Sequence, residues 1–248
     1  MSNTVELPIL NDLIRGGVGW GSNILVEFEP DSLWYETSLT IAAGLLKSRV
    51  EVHYHTFIRP PHEVGELLTR FGLDVEKFQK SDLLKVVDSY TAQVGLNVAE
   101  GSEDSAVIGT ITRSLKMADW SIGFAKEMKT GTGYLAKEGA LLHIDDNTSV
   151  LLQYNDEKTF IDVWRTRALP HTRASGSLFL YAFVTGVGSS ALCKQLESLS
   201  DGIVDFKSNE NEGRIEHLVR VRVMRGRNVD SRWHRLLLQE NGEVALAD

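Results

Sequence analysis

The chain has 248 residues, 42% of them hydrophobic and 24% charged, with a net charge of −8. These values are close to globular averages and exclude disordered and collagen-like chains. No apolar run approaches the ~20 residues a bilayer span needs, and the acidic balance argues against a protein that coats nucleic acid throughout.

The opening MSNTVELPILNDLIRGG has no basic stretch followed by an apolar one, so no signal peptide is expected. The single cysteine, Cys193, leaves no intrachain disulfide and fits a cytoplasmic protein. Gly16, Gly17, Gly19 and Gly21 suggest a flexible approach to a buried strand at Asn23 to Phe28 (NILVEF). A helix is expected from about Ser32 to Leu46, and a strand over Val50 to Phe57. Pro60 and Pro61 open a helix through Phe71, with Gly72 where a helix commonly stops. Leu83 to Asp88 reads as a short strand. Leu115, Ala118, Ile122, Ala125 and Met128 recur at helical spacing. Ala140 to Asp145 and Leu178 to Thr185 read as strands, Ser189 to Ser200 as a helix and Gly202 to Phe206 as a strand. Ser175-Gly176-Ser177 and Gly186-Val187-Gly188 read as turns flanking one strand, the alternative for Gly186 to Ser190 being a mobile loop at the carboxyl end of the sheet. Val219, Val221 and Val223 alternate with Arg220 and Arg222 as in a half-exposed strand. Leu236 to Glu240, Asn241-Gly242 and Glu243 to Leu246 spell a hairpin. Alternating strands and helices with a strand-rich tail imply an α/β fold with a mainly parallel sheet and an antiparallel edge, in one domain over residues 1–248.

The order glycine-rich approach, strand, turn and helix is where a phosphate-binding loop would sit. Such a loop needs a glycine, four residues, then Gly-Lys-Ser/Thr, so that backbone N–H groups and a lysine meet the phosphates. At that spacing this chain has Phe28, Leu33, Trp34 and Tyr35, and the intervening Glu29 and Asp31 add negative charge. Trp34 and Tyr35 are expected to plug the space with apolar volume.

Several segments, in order, resemble the KaiC/RadA-type branch of the RecA superfamily of P-loop ATPases. LNDLIRGGVGWGSNILVEF resembles that family's approach to its P-loop, and VEVHYHTFIRPPHEVGELLTRFGLD its second strand and following helix. LLKVVDSY resembles a short family strand and ALLHIDDNTSVL the Walker B strand, with Asp145 matching its aspartate. LESLSDGIVDF and RVRVMRGR resemble late strands, with Arg225 matching the arginine of the late motif and Val223 standing where a basic residue is common. The family's paired catalytic glutamates follow its second strand, where this chain has Phe57-Ile58-Arg59. The resemblance implies a RecA-like fold with a mainly parallel central sheet flanked by helices, a C-terminal antiparallel extension, and a degenerate nucleotide site at Phe28, Asp31, Leu33, Trp34, Tyr35 and Asp145.

Three further groups need weighing. His53 and His55 share one face of their strand, as His143 and Asp145 do on another. If those strands are neighbours, a His/Asp metal site is conceivable, although hydrogen-bonded histidines are the commoner outcome. Residues 213 to 235 hold seven arginines (214, 220, 222, 225, 227, 232 and 235) against Glu216 and Asp230. Arg225 and Arg227 are the candidate phosphate or partner contacts, while a solvated strand face or a subunit interface is the preferred account of the run. Cys193 is expected to be a packing residue.

These readings imply a catalytically inactive, KaiC/RadA-like regulatory or scaffolding subunit without a cofactor. Its expected partner is another protein, an active paralogue or copies of itself, with neither membrane nor nucleic acid. The alternatives are a nucleotide-binding protein with an unconventional loop, which would need ATP and magnesium, and a DNA-associated recombination paralogue.

Overall fold

The computed structural model describes residues 4–90, 139–148, 151, 156–211 and 213–247. The predicted helix spanning Leu115 to Met128 lies outside them.

Two short strands, β1 (Thr4–Val5) and β2 (Val18–Gly19), pair ahead of β3 (Asn23–Phe28). The chain continues as α1 (Trp34–Lys47), β4 (Val52–Thr56), α2 (Pro61–Arg70), α3 (Val75–Lys80), β5 (Leu84–Asp88) and β6 (Leu141–Ile144). Next come α4 (Glu157–Val163), a π-helical turn over Trp164–Ala168, α5 (Leu169–Ser175), β7 (Leu178–Val184) and α6 (Ser190–Leu199). Four long or paired strands finish it: β8 (Gly202–Asn211), β9 (Arg214–Met224), β10 (His234–Leu238) and β11 (Val244–Leu246).

Nine strands form one sheet in the order β11-β10-β9-β8-β3-β7-β6-β4-β5. The run from β8 to β5 is parallel, and β9, β10 and β11 add an antiparallel wing. Parallel strands are covered on both faces, which is why NILVEF and LFLYAFV are nearly continuous apolar runs. On one face Ile24, Val26, Phe28, Tyr54 and Leu180 pack with Leu39, Ala42 and Leu46 of α1 and Val64 and Leu68 of α2. On the other, Leu25, Leu142, Ile144, Phe179 and Tyr181 pack with Phe160, Trp164, Leu192 and Leu196 from α4, the π turn and α6.

The wing curls over α1. The Val244 backbone N–H, at the sheet's edge, donates to Thr40 Oγ1 of α1 at 3.0 Å, and Lys47 pairs with Glu243 at 2.9 Å. A helix thus covers an edge strand that would otherwise offer unpaired backbone groups.

Four features differ from the sequence reading. The glycine approach is built into the core: Leu7, Leu10, Leu13 and Ile14 are buried, and a Cβ on Gly17 would sit 2.7 Å from the Val5 carbonyl oxygen. The hairpin loop takes three residues, Glu240 to Gly242, because Gly242 adopts the left-handed conformation that follows a type I turn. The strands β8 and β9 run on as a ribbon to Asn211 and Arg214. Finally, β9 carries a bulge: Ile203 pairs Val223 and Val204 pairs Val221, so Arg222 is the extra residue. Past the bulge Met224, not Val223, enters the core.

Candidate functional site

The carboxyl end of β3 and the start of α1 form the predicted strand–turn–helix. Hydrogen bonds pin the turn, among them one from Ser32 N to the Glu29 carbonyl at 3.0 Å. Glu29 N donates to the Phe206 carbonyl (3.0 Å), and Ser32 Oγ donates to the Glu29 carbonyl (2.6 Å). Ser208 of β8 donates from its N–H to Glu29 Oε2 (3.0 Å) and from its hydroxyl to the Asp31 carbonyl (2.9 Å). With that hydroxyl proton committed, His217 Nδ1 is the donor in its 2.9 Å contact with Ser208 Oγ. The two acidic residues of the turn are therefore tied to β8, one by its carboxylate and one by its backbone. This anchoring was not legible in the sequence, because Ser208 is distant in the chain.

Trp34 opens α1 and is fully buried. Its ring lies 5.1 Å from Phe206, 5.7 Å from His143 and 6.1 Å from Phe28. Its one polar atom, Nε1, donates to the Asp145 carbonyl at 2.8 Å, so the indole is buried with its hydrogen bond satisfied. Leu33 is buried as well, and half-buried Tyr35 sets its ring edge-on to Phe28 at 5.2 Å. Burial, then the charges of Asp146 and Asp145, push the Tyr35 phenol up.

Asp145 follows β6 in the interior, 3% exposed. Its Oδ1 accepts from the Phe57 backbone N–H at 2.8 Å, which fixes the start of the Phe57-Ile58-Arg59 segment. Burial pushes its carboxyl up to about 8, despite that hydrogen bond. Asp146 is raised too, mainly by burial, while its Oδ1 accepts from Thr148 N at 2.7 Å. Arg59 pairs at 3.3 Å with Glu36 in the first turn of α1. Residues 28 to 38 contain no lysine or arginine, so the turn itself brings no cation to neutralise phosphate.

The histidines do not converge. β4 and β6 are indeed neighbours, but Tyr54 pairs with His143, and His53 and His55 pair with Leu142 and Ile144. The pleat therefore sends His143 to the α1 face and both β4 histidines to the opposite face. His143 joins Tyr54 and Trp34 as an aromatic body, 4.7 Å from Tyr54. Burial lowers both His55 and His143 to about 3, so both stay neutral. His53 Nε2 meets Glu51 Oε1 at 2.6 Å, and Lys85 donates to the same oxygen. Among the described residues no group of three or more His, Cys, Asp or Glu is placed to hold a metal ion.

The arginine run is largely spent within the fold. Arg222, at the bulge, binds Glu27, Glu197 and Asp205, and Arg220 Nε donates to Asp205 at 2.7 Å. Arg232 pairs with Asp230, and Arg235 lies 3.6 Å from Glu216. Arg225 donates to the Ser200 and Ser198 carbonyls at 2.9 and 3.2 Å, capping the end of α6. Arg227 is exposed beside Gly16. Burial and the nearby Glu27, Glu197 and Glu157 raise the Cys193 thiol, the reverse of what activates a nucleophile. Ser189 caps α6 and binds Glu157, which anchors the loop after β7.

No protein-family model matches the sequence, and no curated protein matches it. Solved structures do match. The crystal structure of a KaiC-like protein from the hyperthermophilic archaeon Pyrococcus horikoshii OT3 aligns with a TM-score of 0.73. It covers 99% of each chain at 14% sequence identity. The chain therefore has the KaiC-like RecA fold, and at that identity the likeness speaks for the fold alone.

Proposed function

We propose that this protein is a catalytically inactive KaiC/RadA-like subunit, cytoplasmic, that regulates or scaffolds an active paralogue or copies of itself. The observation that carries this reading is Trp34. It stands where the resemblance puts the phosphate-binding lysine, is buried among Phe28, Phe206 and His143, and spends its N–H on the Asp145 carbonyl. An indole held there supplies no charge to a phosphoryl group, and phosphoryl transfer is accelerated mainly by fixed charges around the transferring group. Phe57-Ile58-Arg59 supports the same reading, since no carboxylate follows β4 to orient a water.

The test has two arms. Purified protein with ATP and magnesium is expected to show neither phosphate release nor saturable nucleotide binding by calorimetry. Robust magnesium-dependent turnover abolished by Asp145→Ala overturns the reading, and tight binding without turnover favours a nucleotide sensor. Added to an active KaiC-like paralogue from the same organism, the protein is expected to co-migrate with it or change its turnover.

A further inference from the structure

Three large apolar side chains are exposed among the described residues, Ile215 (66%), Leu238 (54%) and Leu237 (46%). All three lie at one end of the wing: Ile215 is the second residue of β9, and Leu237 and Leu238 are the last two of β10. Val219 pairs with His234, and Ile215 and Leu238 are each four residues from that pair in the same direction. They therefore share one face of adjacent strands, and Leu237 takes the other. Exposed apolar residues scattered singly need no account, but a cluster of them marks a contact surface.

The backbone is open at the same place. β9 pairs with β8 from Arg214 to Met224, but with β10 only from His217 to Val219. Beyond that, Leu237 and Leu238 pair with β11 instead. Among the described residues the outer edge of Arg214, Ile215 and Glu216 thus has no strand beside it. Such an edge offers backbone N–H and C=O groups to another strand, and a two-stranded ribbon is marginal in water by itself. The edge is also complementary to itself. Antiparallel pairing with the same edge of a second copy, about a two-fold axis at Ile215, sets Ile215 against Ile215 and Arg214 against Glu216. Opposite charges directly across a strand pair stabilise it. Arg214 is exposed and makes no ion pair among the described residues, and Glu216 comes only within 3.6 Å of Arg235.

We propose that this end of the wing is the contact between two copies of the chain: the β9 edges pair antiparallel, Ile215 packs on its symmetry mate beside Leu237 and Leu238, and two Arg214–Glu216 ion pairs flank the axis. The inference rests on that part of the proposed function in which the protein binds copies of itself. Three apolar side chains from each copy make a contact well below a standard interface, so the dimer is expected to dissociate at about 10–100 μM. The test is sedimentation velocity of the full chain over a micromolar to millimolar series, with thermal melts of each variant. Ile215→Lys, at an exposed position, is expected to melt with the wild type and to dimerise at least about tenfold more weakly. Glu216→Arg is expected to weaken the dimer about tenfold, and the exchange Arg214→Glu with Glu216→Arg to restore it to within about threefold. If Glu216 acted only through Arg235, the exchange would restore nothing. A monomer throughout the series, an assembly of any size that Ile215→Lys leaves unchanged, or an exchange that fails to restore the dimer overturns the proposal. A monomer that still changes the turnover of an active paralogue would remove this contact alone and leave the regulatory reading standing.

Discussion

Trp34→Ala removes a fully buried indole from a packed aromatic group and leaves the Asp145 carbonyl without its donor. The expected cost is about 3–5 kcal/mol, read from the midpoint of urea unfolding. An unchanged midpoint would mean that the ring does not pack as a plug. Asp145 and the two neutral histidines set a pH dependence of opposite signs. A carboxyl raised in the fold from 3.8 to about 8 contributes stability that is lost as pH rises through that window. Histidines lowered from 6.5 to about 3 contribute stability that is lost as pH falls below 6.5. Of these three groups, the two histidines outweigh the aspartate below 6.5, and above it the aspartate is the one that titrates. The melting temperature is therefore expected to peak near pH 6.5. Asp145→Asn retains an acceptor for the Phe57 N–H and should flatten the alkaline limb. A limb equally steep in the variant would assign it to another group. The residue types at Trp34 and Asp145 were legible in the sequence, but the bond between them was not, because it joins positions 111 residues apart.

Helix α1 shows how packing can reverse a local preference. Gly44 lies inside it, where alanine ordinarily adds about 1 kcal/mol of stability. A Cβ there would sit 2.3 Å from Pro8 Cγ, part of a rigid ring on the amino-terminal segment. Gly44→Ala is therefore expected to destabilise by about 1–3 kcal/mol in thermal melts, and a stabilised variant would show that the segment does not press on the helix. The end of α6 depends on a side chain from another element. Arg225→Ala, which frees the Ser198 and Ser200 carbonyls, should cost about 1 kcal/mol. Restoration by Arg225→Lys to less than half of that loss is expected, since lysine lacks the fork that reaches two carbonyls. The strands and helices were readable because apolar periodicity is local. The bulge at Arg222 was not, because the alternation of valine and arginine continues through it unbroken and only the pairing with Ile203 and Val204 interrupts it.

For the molecule as a whole, the distribution of charge decides what the arginine-rich tail can reach. Arg220, Arg222 and Arg232 are each held by acidic side chains within the fold, and Arg225 is occupied at α6. The chain is therefore expected to show no tight binding to duplex DNA at physiological salt, in anisotropy titrations from low to high salt. Tight, steeply salt-dependent binding weakened by Arg227→Ala would favour the recombination alternative. Composition, apolar periodicity and the order of the segments determined the fold class, the parallel core with its antiparallel extension, and the position of the strand–turn–helix. These depend on which residues leave water, a property each short segment carries by itself. Tertiary structure alone decided that His143 turns away from His53 and His55, that Ser208 clamps the turn, and that Arg222 gathers three carboxylates. Each of these follows from register and crossover, which bring distant residues together, and no local pattern records which strand lies beside which.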